Sequence, residues 1–189
     1  MILMGNVFII HGTEGNPEGN WFPWIKGELE KLGHIVFVPK FPTPEGQSLN
    51  SWLDTFENYI NKINEDTVFV AHSLGPAFVL NVLERIDKKV KACFFVSGFI
   101  SLLGNEHYDN LNRSFIDKEF DWKKIKKNCN KFIVINSKDD PYVPFEEGKK
   151  LADRLNAEFI ALDKAGHINT EFGFDKFEML LEEIKKELN

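Results

Sequence analysis

The chain has 189 residues, of which 43% are hydrophobic and 13% aromatic, and its formal net charge at neutral pH is -6. This length and apolar content predict one domain, residues 1–189, with a core of ordinary size. The negative charge argues against nucleic acids and anionic membranes as partners, since both are bound by basic surfaces, and two cysteines are too few for a disulfide framework.

The first eleven residues lack the basic start, the long hydrophobic stretch and the cleavage pattern of a signal peptide, so we expect them to contain a first strand. No segment of the sequence has the uninterrupted apolar length that a membrane helix needs. These features predict a cytoplasmic protein that does not associate with a membrane.

Six short segments rich in β-branched residues predict strands that are buried on both faces, because they are continuously apolar and not alternating. They are residues 6–11, 35–39, 67–72, 90–97, 132–137 and 158–162.

Five segments with helical periodicity lie between or after these strands. We expect Gly33 to end the first helix and a capping box, Ser51 with Asp54, to begin the second. Strands alternating with helices predict an α/β fold, a three-layer, doubly wound and mostly parallel sheet of about six strands. Residues 99–121 are polar without a clear period and predict a loop or a partly helical cap. The helical segments are 25–32, 52–63, 74–86, 146–155 and 174–188.

The run after the third strand is Ala71-His72-Ser73-Leu74-Gly75, and a helix is predicted to follow it. A serine on a sharp turn between a strand and a helix needs small residues two positions before and after it, because the two elements approach closely there. The pattern therefore predicts Ser73 as a nucleophile, with an ordinary strand-to-helix turn as the alternative. His72 adjoins the serine, so we expect it to stabilise this turn or fill the core and not to act as the base.

The loop after the fifth strand contains Asp139 and Asp140. A nucleophilic serine needs a base and a carboxylate that orients the base, and in this kind of fold the acid lies between the serine and the histidine in the chain. Asp140 directly precedes Pro141, and we prefer it to Asp139 for this role. Both aspartates have the alternative role of stabilising the turn or capping the next helix.

His167 lies in the loop after the sixth strand, directly after Gly166. A loop histidine is often only a surface residue, but this one is third in the required chain order, and the glycine permits a tight loop. We therefore predict His167 as the base. The positions of His11, His34 and His107 fit this role less well.

Acyl transfer also needs N–H donors directed at the developing oxyanion. The backbone N–H groups of Leu74, directly after the serine, and Thr13, in the glycine-rich loop after the first strand, are the predicted donors. That loop lacks the spacing of phosphate-binding loops. His11, Trp21 and Trp24 are candidate pocket residues, and helix packing is an equally good interpretation of the tryptophans.

Five short segments carry a resemblance to a known family: residues 11–13, 20–24, 71–75, 139–144 and 166–167. Together they resemble the small serine hydrolases grouped with retinoblastoma-binding protein nine and its bacterial relatives, over nearly the whole chain. The resemblance implies a compact α/β-hydrolase fold with six core strands, little or no lid and no cofactor. It also implies a triad of Ser73, Asp140 and His167. Ala71 replaces the usual first glycine of the motif around the serine.

We therefore expect a serine hydrolase that cleaves an acyl ester or amide of a small molecule, best described as a small carboxylesterase, without a metal ion. A non-catalytic protein-binding module on the same fold is the alternative, because fold does not determine function. Binding to retinoblastoma protein is not implied, since neither Cys93 nor Cys129 lies in a Leu-x-Cys-x-Glu sequence.

Overall fold

One parallel sheet forms the centre of the structure. The structure is a computed structural model, and it describes residues 5–188. Residues 1–4, part of the N-terminal stretch expected to contain the first strand, lie outside the described residues. All five strand pairs are parallel, and the strand order is β2-β1-β3-β4-β5-β6. The predicted doubly wound sheet of six strands is thus confirmed. The strands are β1 (Asn6–Ile10), β2 (Ile35–Phe37), β3 (Val68–His72), β4 (Val90–Val96), β5 (Cys129–Ser137) and β6 (Glu158–Leu162).

Helices cover both faces of the sheet and bury two separate apolar clusters. Helices α1 and α7 pack on one face, and the other five helices pack on the opposite face. No helix within residues 5–188 combines the length and the apolar character required to cross a membrane. The helices are α1 (Phe22–Lys31), α2 (Leu49–Phe56), α3 (Gly75–Leu83), α4 (Glu106–Ile116), α5 (Trp122–Lys127), α6 (Phe145–Leu155) and α7 (Glu178–Leu188).

The second helix begins earlier than predicted, so the expected capping box at Ser51 and Asp54 is wrong. Ser48 is the N-cap: its Oγ accepts a hydrogen bond from the Ser51 N–H at 3.1 Å, and the Ser51 Oγ accepts one from the Ser48 N–H at 3.1 Å. Two serines thus satisfy each other's backbone donors in the manner of a capping box. The helix continues past Phe56 only as a 3₁₀ helix, Glu57–Lys62.

The polar segment 99–121 contains a short helix and no separate lid. Asn105 caps α4 by accepting a hydrogen bond from the Tyr108 N–H at 3.2 Å. The Asp109 carboxylate accepts hydrogen bonds from the N–H groups of Leu103 and Gly104 at 2.7 and 2.9 Å. The predicted partly helical cap after the fourth strand is therefore a compact turn and helix.

The chain reverses its direction of travel across the sheet at β1. From this strand it first moves outward to β2 and then returns to form β3 on the other side of β1. Such a switch point leaves a crevice at the carboxyl ends of β1 and β3. Gly12, in the loop after β1, and Ser73, directly after β3, adjoin this crevice.

Helix α3 begins in close contact with the end of β1, and Gly75 makes that contact possible. A Cβ atom at Gly75 would lie 2.6 Å from the backbone oxygen of Ile10 and 3.2 Å from the Cβ of Ala71. Real Cβ atoms do not approach a backbone oxygen this closely. The small residues at 71 and 75 are thus a packing requirement of the strand–turn–helix unit.

We expect Gly75→Ala to destabilise the protein by about 1–3 kcal/mol, because the added methyl group must push α3 away from β1. Gly27→Ala is the matched control, since Gly27 lies inside α1 and a Cβ there meets nothing within 4 Å. This control should stabilise the protein by up to about 1 kcal/mol through helix propensity. Urea denaturation of both variants measures the effects, and equal stability of Gly75→Ala and wild type would contradict the packing argument.

Candidate active site

Ser73 occupies a strained turn directly after β3. Its φ angle is +60°, in the left-handed region that non-glycine residues rarely adopt. The Ser73 N–H donates to the backbone oxygen of Val96 at 2.9 Å, and a Cβ at Gly12 would lie only 2.6 Å from the Ser73 Cβ. The turn is therefore held from the β4 side and packed against the loop after β1, which points the serine toward the crevice.

His167 and Asp140 form a hydrogen-bonded pair at the same edge of the sheet. The His167 Nδ1 lies 2.8 Å from the Asp140 Oδ2, and the two side chains are 10% and 0% exposed. The other carboxylate oxygen accepts hydrogen bonds from the N–H groups of Tyr142 and Val143 at 2.8 and 3.0 Å. A carboxylate held in this way accepts the Nδ1–H of the imidazole and leaves Nε2 as the nitrogen that can take a proton.

Asp139 performs a different task from its neighbour. One of its oxygens accepts hydrogen bonds from the Ser137 hydroxyl at 2.6 Å and from the N–H groups of Ala165 and Gly166 at 3.0 and 2.9 Å. The hydrogen bond from Ser137, followed by the backbone ones, lowers the pKa of the Asp139 carboxyl. Asp139 thus anchors the loop that carries the histidine, whereas Asp140 contacts the imidazole itself.

The loop around His167 contains two further left-handed residues, Gly166 and Ile168, each with φ of +51°. A Cβ at Gly166 would lie 2.1 Å from the ring of Phe172, so only glycine fits there. The Trp21 Nε1–H donates to the backbone oxygen of Ile168 at 2.9 Å. This loop therefore has little freedom to relax.

Two cavities, of about 320 and 210 Å³, meet at Ser73. Both are lined by Thr13, Ser73, His167 and Asn169. The larger cavity extends under α4 and along the Asp140 loop, and the smaller one follows the glycine-rich loop after β1. The walls of the larger cavity also include Phe99, Leu103, Tyr108, Asn112, Tyr142 and Glu171.

The predicted oxyanion donors lie beside the serine. Leu74 is the N-cap of α3, and a Cβ at Gly12 would lie 3.1 Å from the Leu74 nitrogen. Within residues 5–188, neither the Leu74 N–H nor the Thr13 N–H donates a hydrogen bond. A helix N-terminus adds a partial positive charge at this point.

A polar network that the sequence did not reveal holds Thr13. The Gln47 Nε2 donates to the Thr13 Oγ1, to the Asn112 Oδ1 and to the backbone oxygen of Leu111, at 3.1, 3.1 and 3.0 Å. The Thr13 hydroxyl also donates to the Asn112 Oδ1. The residues come from three distant parts of the chain, so no local pattern could have indicated the network.

None of the three candidate pocket residues, His11, Trp21 and Trp24, lines either cavity. His11 is fully buried: its Nδ1–H donates to the backbone oxygen of Gly12 at 2.8 Å, and its Nε2 accepts from the Phe41 N–H at 3.1 Å. Burial lowers the pKa of His11. Trp21 is fully buried, and Trp24 packs against the core on the α1 face. Packing their large apolar rings against the core removes those rings from water, which is favourable.

Two side chains near the histidine were not predicted. The Tyr142 ring lies edge-on to the His167 ring with centroids 5.3 Å apart, and its hydroxyl donates to the Glu171 carboxylate at 2.8 Å. That hydrogen bond raises the pKa of Tyr142. The Asn169 Oδ1 is buried, and no side chain or backbone group of residues 5–188 donates to it. Their nearness in sequence to Asp140 and His167 is the only signal that could have indicated them.

Residues 5–188 contain no cluster of three or more histidine, cysteine or acidic side chains that could bind a metal ion. Ser73, His167 and Thr13 line both cavities, and Asp140 contacts the His167 imidazole. This set is suited to acyl transfer.

Two known proteins are similar in sequence to this chain. The chain is 35% identical over 170 residues to the putative hydrolase YdeN of Bacillus subtilis, covering 89% of this chain and 88% of that protein. It is 31% identical over 154 residues to the serine hydrolase RBBP9 of Rattus norvegicus, covering 80% of each chain.

Solved structures have the same fold. The crystal structure of the ydeN gene product of B. subtilis superposes with a TM-score of 0.91 at 31% identity, covering 97% of this chain and 98% of that one. Est1E of Butyrivibrio proteoclasticus, solved with ferulic acid bound, gives a TM-score of 0.75 at 16% identity, covering 98% of this chain and 88% of that one. The latter likeness shows the fold alone. The model of the serine hydrolase family matches residues 7–186, and the chain belongs to that family.

Proposed function

We propose that this protein is a small carboxylesterase in which Ser73 is the nucleophile, His167 the base and Asp140 the residue that orients the base. The observation that carries the proposal is the 2.8 Å contact between His167 Nδ1 and the fully buried Asp140 carboxylate, with His167 and Ser73 lining the same cavity. Family membership supports hydrolysis as the reaction class.

In the first half of the reaction, the Ser73 oxygen attacks the acyl carbonyl carbon as its proton moves to the His167 Nε2. The Asp140 carboxylate stabilises the imidazolium that forms. When the tetrahedral intermediate collapses, the bond to the leaving alcohol breaks, and the imidazolium returns the proton to the alcohol oxygen. The product of this half-reaction is an ester of Ser73.

In the second half, a water molecule attacks the same carbon while His167 again accepts the proton. The bond to the Ser73 oxygen breaks, the serine regains its proton, and the carboxylic acid leaves. Two backbone donors, the N–H groups of Leu74 and Thr13, stabilise the oxyanion in both halves. Their freedom from other acceptors within residues 5–188 supports this role.

The lining of the larger cavity favours short acyl groups. Its walls carry asparagine, tyrosine and glutamate side chains as well as apolar ones. A long alkyl chain would desolvate these polar side chains without forming hydrogen bonds to them.

The role of the serine is tested with a fluorophosphonate probe that reacts with activated serines. We expect the wild type to be labelled and to hydrolyse p-nitrophenyl acetate, and Ser73→Ala to do neither, because the attacking oxygen is removed. Ser114→Ala, which removes a hydroxyl group on α4 outside both cavities, should still be labelled. Labelling of Ser73→Ala at the wild-type rate would show that another residue is the nucleophile.

The two aspartates are separated by their amide variants. Asp140→Asn should lower kcat by about 10⁴-fold, because an amide donating to Nδ1 favours the wrong tautomer of the imidazole. Asp139→Asn should lower kcat less than about tenfold, since an amide oxygen still accepts the N–H groups of Ala165 and Gly166. Steady-state kinetics on one ester measures both, and the reverse ranking would make Asp139 the orienting acid.

The acyl preference is tested with p-nitrophenyl esters of increasing chain length. We expect kcat/KM for the acetate and butyrate to exceed that for the dodecanoate by at least about tenfold, because a long chain must desolvate polar side chains of the cavity wall without forming hydrogen bonds to them. Measurements below the critical micelle concentration keep the comparison valid. A kcat/KM that rises steadily up to the dodecanoate would contradict a preference for short acyl groups.

A further inference from the structure

The backbone oxygen of His167 accepts hydrogen bonds from two buried side chains. The His72 Nε2 lies 2.8 Å from it, and the Ser97 Oγ lies 3.1 Å from it. These residues are 4% and 0% exposed, and His167 itself is 7% exposed. We propose that His72 and Ser97 are positioning residues, which hold the peptide group of His167 so that its imidazole faces Ser73. The inference rests on the proposed function, in which His167 is the base.

His72 supplies a permanent donor for this contact. A neutral imidazole carries one N–H, and the hydrogen bond to a backbone oxygen requires it to be on Nε2. Burial, and then the nearby His167, lower the pKa of His72 to about 3, so the ring stays neutral at physiological pH. The ring is enclosed by Trp21, Phe22 and His167, with centroids 6.0, 6.1 and 4.8 Å away. Its orientation is therefore settled by packing as well as by the hydrogen bond.

The peptide group that His72 holds adjoins a strained residue. Ile168 has φ of +51°, and a β-branched side chain is a clear outlier in this region. Such a conformation persists only when its surroundings leave no alternative. The hydrogen bonds from His72 and Ser97 fix the peptide group before Ile168, and the Trp21 Nε1–H fixes the one after it at 2.9 Å.

The same two residues also adjoin the nucleophile. His72 is the last residue of β3 and precedes Ser73, and Ser97 follows Val96, whose oxygen accepts the Ser73 N–H at 2.9 Å. His72 and Ser97, at the ends of β3 and β4, thus connect the turn that holds Ser73 to the loop that holds His167. Both do so through the backbone oxygen of His167. A displacement of about 1 Å between reacting groups is enough to lower a rate by about 100-fold.

Three variants and a control test the proposal. His72→Leu removes the donor and keeps apolar bulk, His72→Gln keeps an N–H donor at similar reach, and Ser97→Ala removes the weaker contact with little change in volume. His34→Leu is the control, because His34 is also buried and hydrogen-bonded to backbone, accepting from the Gly5 N–H at 3.3 Å. His34 lies just before β2, at the amino ends of the strands and not at the carboxyl ends where Ser73 lies.

We expect His72→Leu to lower kcat by about 100-fold with KM changed less than about threefold, since alignment and not binding is lost. His72→Gln should recover at least about tenfold of that loss, and Ser97→Ala should lower kcat by about three- to tenfold. The control should keep wild-type kcat per folded molecule. An unchanged kcat in His72→Leu, or a His72→Gln variant as impaired as His72→Leu, would overturn the proposal.

A spectroscopic readout is independent of turnover. The Nδ1 proton of His167, hydrogen-bonded to Asp140, should give a low-field proton resonance that is absent in Asp140→Asn. We expect this resonance to shift or broaden in His72→Leu and to remain in His34→Leu. Its persistence unchanged in His72→Leu would overturn the positioning role. If the wild type neither hydrolyses esters nor reacts with the fluorophosphonate, the proposed function fails, while this measurement still decides whether His72 orients His167.

Discussion

The structure depends on one constraint, the close approach of α3 to the end of β1 at the turn that holds Ser73. The serine adopts φ of +60° there, and a Cβ at Gly75 or Gly12 would lie 2.6 Å from neighbouring atoms. Small residues on both sides permit the approach, and the hydrogen bond from the Ser73 N–H to Val96 secures it. Because the turn lies where the strand order reverses, the hydroxyl group and the start of α3 adjoin the same crevice.

The two aspartates at this edge of the sheet, Asp139 and Asp140, have different partners. The Asp140 carboxylate contacts the imidazole of His167, and Asp139, one residue earlier, receives backbone N–H groups of the loop that carries that imidazole. Buried charge is costly unless it is hydrogen-bonded or paired, and the Asp140 carboxylate contacts the N–H groups of Tyr142 and Val143 and the His167 imidazole. In the proposed reaction, an imidazole held in this way needs little reorganisation when it accepts a proton.

Three histidines lie at the carboxyl edge, but their surroundings assign them different tasks. Burial lowers the pKa of both His11 and His72, and both rings form hydrogen bonds to backbone groups. His11 forms hydrogen bonds with the backbone of Gly12 and Phe41. His72 forms one with the backbone oxygen of His167. His167 alone lies in the walls of both cavities and contacts a carboxylate. One edge of the sheet thus places two supporting rings near the imidazole that we propose as the base.

The sequence by itself determined the alternation of strands and helices, the position of Ser73 on a strand-to-helix turn, and the chain order of serine, acid and histidine. These features follow from local periodicity and from steric rules that act within a few residues. Only the tertiary structure placed His11 and Trp21 in the core, separated the roles of Asp139 and Asp140, and brought Gln47 and Asn112 to Thr13. Which side chain meets a given donor depends on contacts between residues far apart in the chain, and local patterns carry no information about them.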